Sequence, residues 1–171
     1  MRFSLMLLAA PLAFGDVATL SQSQTTTLLT AGKLSVAASM TLSTPTQTFN
    51  NFTGSMNVSY RARTTETGNV TITLLASANF SPTTGPNINN GTLTYTCGSA
   101  TLGSACSGTQ TVSTVSQSSI VSVSSSACTG VGSGCSGSNP NTVQLNFTLT
   151  NDPQYKTGSY SAQITLTASS I

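Results

Sequence analysis

The feature that most constrains the fold is the strict alternation of apolar and polar residues near the end of the chain. Apolar residues occupy every second position over 143–149, and after a turn-forming segment the alternation resumes over 160–168. A period of two places the apolar side chains on one face of a β-strand. We therefore predict two strands joined as a long antiparallel ribbon, with its apolar face covered by a second sheet. The side chains expected in the core are Leu145, Phe147, Ile164 and Leu166.

The rest of the chain repeats this pattern in short segments separated by turn residues. Further strands are predicted over 34–42, 55–63, 70–80 and 93–97, with a hairpin at 64–69 and weak edge strands between 109 and 125. No segment shows an amphipathic helical period. The sequence therefore predicts an all-β, immunoglobulin-like β-sandwich of about eight or nine antiparallel strands, occupying residues 33–171.

Composition excludes several classes of partner. Charged residues make up only 5% of the chain, with five basic residues, three acidic residues and no histidine, whereas an average soluble domain has about 25% charged residues. No basic run could follow a phosphate backbone, so we expect no nucleic-acid partner. The abundant Ser and Thr suit the outer face of a secreted β-protein.

The first fifteen residues have the pattern of a secretory signal. Residues 1–15 contain one Arg, an apolar core and the small residues Ala13 and Gly15 before Asp16. The alternative is a retained hydrophobic segment. No later apolar run reaches the ~20 residues of a membrane span. We therefore expect a secreted protein, extracellular or at the cell surface, with no membrane span.

Four cysteines in an exported chain favour two disulfides. Three connectivities are open, and the local one is favoured because both intervals are rich in small residues. The local pairs are Cys97 with Cys106 and Cys128 with Cys135.

The sequence offers no reaction centre. Acid–base catalysis needs a group that titrates near neutrality, and the only acidic residues are Asp16, Glu66 and Asp152, in no shared motif. No glycine-rich element precedes a helix, and no clustered ligands suit zinc or calcium. We predict a protein that is not an enzyme and has no cofactor and no metal.

Two arginines are predicted side by side on an outer face. Alternation places Arg61 and Arg63 opposite the apolar face of their strand. We interpret them as aids to solubility and edge protection, with a specific anion or glycan contact as the alternative.

An extension precedes the predicted sandwich. Residues 16–32 show no sustained period, and a strand donated from this segment to a neighbouring subunit would gain main-chain hydrogen bonds and fill pockets with alternate side chains. Residues 25–30 are expected to pair most completely. The apolar residues available for such pockets are Val17, Leu20, Leu28 and Leu29.

Two segments carry a resemblance to a known family. The C-terminal GSYSAQITLTASSI (158–171) and the upstream SMNVSYRARTTETGNVTITLLAS (55–77) resemble bacterial spore-coat-U-like and pilin-like secreted domains. The resemblance implies an immunoglobulin-like subunit that assembles into fibres, in many cases by N-terminal strand donation. We therefore expect a structural subunit of an extracellular bacterial filament or surface layer, partnered by copies of itself. The alternative is a monomeric secreted adhesin-like or glycan-binding module that contacts a host surface or glycan.

Overall fold

The computed structural model describes residues 2–3, 17–25, 32–37, 39–44, 49–64, 68–128, 135 and 140–170, with backbone alone at 2–3, 17–25 and 32. Within these ranges the chain forms strands and two short 3-10 turns, Ile88–Asn90 and Ser125–Cys128. The strands are β1 (Arg2–Phe3), β2 (Val17–Thr25), β3 (Gly32–Val36), β4 (Ser39–Leu42), β5 (Phe52–Ala62), β6 (Val70–Ser81), β7 (Leu93–Cys97), β8 (Ser104–Ala105), β9 (Gln110–Thr111), β10 (Ser118–Val123), β11 (Asn141–Leu149) and β12 (Ser159–Ser170).

The strands form two sheets packed face to face, which confirms the predicted all-β sandwich. The first sheet has the order β1-β2-β12-β6-β10-β8, with β4 also paired to β2, and the second has the order β3-β5-β11-β7-β9. The described part of the chain contains more strands than the eight or nine expected, because several two-residue strands are too short to leave a periodic signal. One pair, β2 with β12, is parallel.

The C-terminal ribbon is the main correction to the sequence-based prediction. β11 and β12 do not pair with each other, because β11 pairs with β5 and β7 in one sheet while β12 pairs with β2 and β6 in the other. Residues 150–158 therefore cross between the sheets instead of forming a hairpin. Alternation specifies which face of a strand is apolar, but two facing sheets satisfy it as well as one ribbon does.

Two other segments change sheet where the sequence predicted continuity. The single strand expected over 34–42 is divided into β3, in the second sheet, and β4, in the first. The hairpin expected at 64–69 is also wrong, since β5 and β6 lie in different sheets. In both cases the apolar side chains of the two strands still face the space between the sheets. The alternation was therefore read correctly, although the strands pair in different sheets.

The segment predicted to supply weak edge strands contributes instead to the core. β10 lies between β6 and β8, and its residues Ile120, Val121 and Val123 are all buried. The register of β10 against β6 shifts between Ser119 and Val121. Such an irregularity breaks the alternation and allows two successive side chains to be buried. A similar shift in the β12–β6 pairing accompanies the exposure of Ala78, which interrupts the alternation of buried residues along β6.

The core lies between the sheets and is contributed by nearly every long strand. The four side chains predicted from the C-terminal alternation are confirmed as buried, each at 2% exposure or less. Across the second sheet, the rings of Tyr95 and Phe147 pack with their centroids 5.6 Å apart. Phe147 is thus held by an aromatic neighbour within its sheet and by the apolar face of the opposite sheet.

Replacement of Phe147 by Ala should lower the free energy of unfolding by about 3 to 5 kcal/mol, because it removes a buried ring and leaves a cavity. Chemical denaturation of the purified protein measures the change. Val115→Ala is the matched control, since Val115 is 88% exposed and its loss should change stability by less than about 0.5 kcal/mol. A loss below about 1 kcal/mol for Phe147→Ala would contradict the buried position.

Candidate functional site

The N-terminal strand β2 occupies an interior position in the first sheet. It runs parallel to β12, with the register extending from Val17 opposite Ser159 to Gln24 opposite Leu166. On its other side β2 pairs antiparallel with β4 over 18–21 and with β1 over 24–25. The first described strand after the predicted signal is therefore hydrogen-bonded to the last described strand.

β2 supplies the main-chain partners of one side of β12. The opposite side of β12 pairs with β6, so removal of β2 would turn residues 159–166 into a sheet edge. An open edge exposes a row of unpaired amide and carbonyl groups that can pair with another chain. We therefore take this edge of β12 as the candidate interaction site.

The residues predicted to mediate assembly fall partly within this strand. Val17 and Leu20 lie in β2, at register positions opposite Ser159 and Ala162. Leu28 and Leu29 lie outside the described residues, as does nearly all of the segment 25–30 that was expected to pair most completely.

The cysteines form the two local disulfides. Cys97 is joined to Cys106 with 5.5 Å between the Cα atoms, and Cys128 is joined to Cys135 with 5.0 Å. The first disulfide links the end of β7, in the second sheet, to the residue after β8, in the first. It therefore joins the two sheets directly, a role that sequence spacing alone did not reveal.

The loop closed by this disulfide is anchored to β5 by a tyrosine. Leu102 is buried, and its carbonyl oxygen accepts a hydrogen bond from the Tyr60 hydroxyl. Gly103 follows with φ of 82°, and a Cβ there would lie 2.4 Å from the Ser122 oxygen. This position therefore requires glycine, both for its left-handed conformation and for the close approach of β10.

Burial perturbs two core tyrosines. Desolvation raises the pKa of Tyr60 above its usual value, opposed by the hydrogen bond to Leu102. Desolvation also raises the pKa of Tyr95, opposed by its hydrogen bond with Ser118 at 2.7 Å. Both hydroxyls therefore form hydrogen bonds within the sandwich, to the Leu102 carbonyl oxygen and to the Ser118 hydroxyl respectively.

The outer face of the second sheet carries a concentration of positive charge. Lys33 on β3 lies directly opposite Arg61 on β5, and Arg63 follows one residue after the end of β5. Lys33 and Arg63 are exposed and Arg61 is half-buried. The predicted outward orientation of the two arginines is confirmed, while the position of Lys33 beside them depends on strand pairing.

The described residues were compared with the patterns typical of metal sites, of functional carboxylates and of membrane-spanning helices. Within them, no group of three or more His, Cys, Asp or Glu side chains could hold a metal ion. A carboxylate oxygen of Asp152 accepts a hydrogen bond from the Gln154 amide at 2.8 Å, which is typical of a turn. The helical segments of the described chain include none long and apolar enough to cross a membrane.

Comparison with known proteins does not assign the chain to a family. No protein-family model matches the chain, and no curated protein is significantly similar to it.

The raised pKa of Tyr60 predicts a loss of stability at alkaline pH. A phenol whose pKa is higher in the folded state contributes stability that is fully present below its ordinary pKa of 10.0 and is lost as pH rises through the folded value. Tyr60→Phe should therefore reduce stability at neutral pH, by loss of the bond to Leu102, and weaken the alkaline decline. Denaturant unfolding of both proteins between about pH 8 and 12 measures this. Parallel pH profiles would contradict the prediction.

Proposed function

We propose that this protein is a structural subunit of an extracellular filament or surface layer, and that copies assemble by exchanging β2. The observation that supports the proposal is the position of β2, a strand near the start of the chain that completes the edge of β12 through main-chain pairing. The same hydrogen bonds can form whether β2 comes from the same chain or from a neighbour.

Exchange of an identical strand is an inexpensive route to association. The donated strand meets the same partners in the same register, so little interaction energy distinguishes the exchanged form from the closed form. The equilibrium between the closed form and the exchanged form then depends on the linker between β2 and β3, residues 26–31, and on protein concentration. Because each subunit both donates and receives a strand, head-to-tail exchange that does not close produces a filament.

The surface composition favours contact between copies. A chain with 5% charged residues loses little charge solvation when its faces are buried against one another. Neutral hydroxyl and amide groups can form hydrogen bonds across such a contact, whereas a dense charge of one sign would repel an identical copy.

The second candidate is a monomeric secreted binding module. It is favoured by the same strand, since β2 pairs with β12 of its own chain and the sandwich is thereby complete. In that case the protein would act through a glycan or surface contact, with no exchange between copies.

A cysteine pair placed across β2 and β12 separates the two candidates. Ser21 and Gln163 occupy paired positions in the parallel register, so the double variant Ser21→Cys, Gln163→Cys should form a disulfide after mild oxidation. If β2 is exchanged, a non-reducing denaturing gel of the secreted protein should show a ladder of covalent oligomers. A cross-linked monomer without a ladder would overturn the filament proposal and favour the module.

The matched control is the double variant Ser21→Cys, Thr73→Cys. Thr73 lies on β6, which pairs with β12 and β10 and not with β2, so this pair should not cross-link in either arrangement. Equal ladders from both variants would indicate random collisions between exposed thiols and would count against strand exchange.

A further inference from the structure

Four connections of the second sheet meet at one end of the sandwich. Phe52 and Leu93 both pair with Leu149, so β5 and β7 begin where β11 ends. β9 ends there as well, because Thr111 pairs with Thr94. Loops at the end of a rigid sandwich are a common place for binding residues. The segments that leave the sheet here, which we call the loop end, are 49–51, 88–92, 112–117 and 150–158.

Hydrogen bonds join three of these segments. The Asn151 backbone amide donates to the side-chain oxygen of Asn51 at 3.2 Å, and the Asn151 side-chain amide donates to the Asn50 carbonyl oxygen at 3.1 Å. The Thr150 amide donates to the Thr92 carbonyl oxygen at 2.9 Å. The segment after β11 is therefore fixed to the segments before β5 and β7.

The segment after β9 is fixed to the same row. The Thr114 hydroxyl donates to the side-chain oxygen of Asn89, and the Ser113 carbonyl oxygen accepts from the Ala76 amide of β6 at 2.9 Å. The Ser113 hydroxyl oxygen also accepts from the Val115 amide at 3.0 Å. The four segments are thus connected from one side of the sheet to the other, which gives the loop end a defined shape.

The loop end carries the exposed apolar side chains of the described ranges. Phe49 is 67% exposed and Val115 is 88% exposed, and within those ranges they are the large hydrophobic residues that remain mostly in solvent. One exposed apolar side chain is ordinary, but these two lie at opposite ends of a single row, before β5 and after β9. Three strand intervals, or roughly 14 Å, separate those strands. A ligand that contacts both side chains must therefore be extended.

Amide groups lie between the two apolar side chains. Asn89 and Asn90 are both exposed. The backbone of Asn90 is held in a 3-10 turn, in which its amide donates to the Asn87 carbonyl oxygen at 3.0 Å. A side-chain amide can donate and accept, so it pairs with a hydroxyl group in either direction. The middle of the row is therefore suited to a ligand rich in hydroxyl groups.

Charge at the loop end is balanced. The four segments contain one acidic and one basic residue, Asp152 and Lys156. Burial raises the pKa of Tyr155, and the negative charge of Asp152 raises it further, which places the tyrosine near that carboxylate. With so little net charge, these segments are complementary to an uncharged ligand and provide no field for a polyanion.

The arrangement of apolar and polar groups favours a saccharide over a protein partner. Protein interfaces bury about 800 Å² per partner, and most of their binding energy comes from apolar anchors near the centre. The loop end has the reverse arrangement, with amides at the centre and apolar side chains at both ends. A sugar ring presents an apolar C–H face that can pack on the face of an aromatic ring, while its hydroxyl groups bond to amides.

We propose that the loop end binds an uncharged polysaccharide. The ring of Phe49 packs against the C–H face of one sugar residue, the amides of Asn89 and Asn90 bond to hydroxyl groups, and Val115 contacts the sugar chain further along. The site includes no residue of β2, so the inference is independent of strand exchange. For the monomeric module it rests on that second candidate function and names the surface through which the module acts.

Native affinity electrophoresis of the full-length secreted protein tests this site. The gels contain a soluble β-glucan, an α-glucan, a mannan or a xylan, and a gel without polysaccharide is the reference. We expect at least one of these neutral polysaccharides to retard the protein. Unchanged mobility in all four gels would overturn the proposal.

Three substitutions that preserve net charge locate the binding, since their mobility in these gels reports affinity without a charge correction. Phe49→Ala should weaken binding roughly tenfold and Asn90→Ala roughly fivefold, both with an unchanged melting temperature. Asn146→Ala is the matched control, because it removes an exposed amide from β11, away from the loop end, and should leave affinity unchanged. Equal losses for Asn90→Ala and Asn146→Ala would contradict the assigned location.

The cysteine pair across β2 and β12 separates this site from a contact between copies. Phe49→Ala added to the Ser21→Cys, Gln163→Cys protein should leave the covalent species on a non-reducing gel unchanged while retardation by polysaccharide falls. If Phe49→Ala removes a ladder instead, the loop end is a contact between subunits and the saccharide assignment is overturned. Retardation of a protein that forms no ladder would support the polysaccharide site although the filament proposal had failed.

Discussion

The structure depends on the mutual burial of two sheets by a chain that changes sheet at every connection from β2 to β12. Among the described strands, β1 and β2 are the only sequence neighbours that pair with each other. Each remaining strand finds its hydrogen-bonding partners far along the chain, so local hairpins cannot stabilise the fold in advance. Contacts of this non-local kind are characteristic of β-sandwiches that fold in milliseconds to seconds. The apolar contact between the sheets and the disulfide from Cys97 to Cys106, which joins them, compensate for this entropic cost.

The same topology gives one strand an unusual importance. β2 lies between β12 on one side and β4 with β1 on the other, and residues 26–31 link it along the chain to β3. Withdrawal of β2 would leave the order β12-β6-β10-β8 unchanged but would remove the hydrogen-bonding partner of β4 and β1, whereas removal of β6 or β11 would divide a sheet. The proposed strand exchange and the pairing of β2 with its own chain would use the same main-chain hydrogen bonds, so we expect the linker and the protein concentration to select between them.

The low charge of the chain makes the few charged residues informative. On a surface with many ions, three basic residues at one corner would be unremarkable and largely screened. Here they constitute most of the positive charge of the protein and adjoin a face of neutral hydrogen-bonding groups. Lys33 reaches this cluster only because β3 separates from β4 and joins the second sheet beside β5.

The sequence alone determined the class of fold and the buried face of each long strand, because a period of two depends only on the geometry of the extended chain. The alternation around Phe147 and Ile164 required no knowledge of partners, and neither did the outward orientation of Arg61. Which strands pair was decided by the tertiary structure. A ribbon and a pair of facing sheets bury the same alternate side chains. The separation of β11 from β12, the division between β3 and β4, and the insertion of β2 beside β12 therefore cannot be read from the periodicity. Only the packing of the whole chain selects among these arrangements, because main-chain hydrogen bonds can form between any two strands and do not depend on the identity of the side chains.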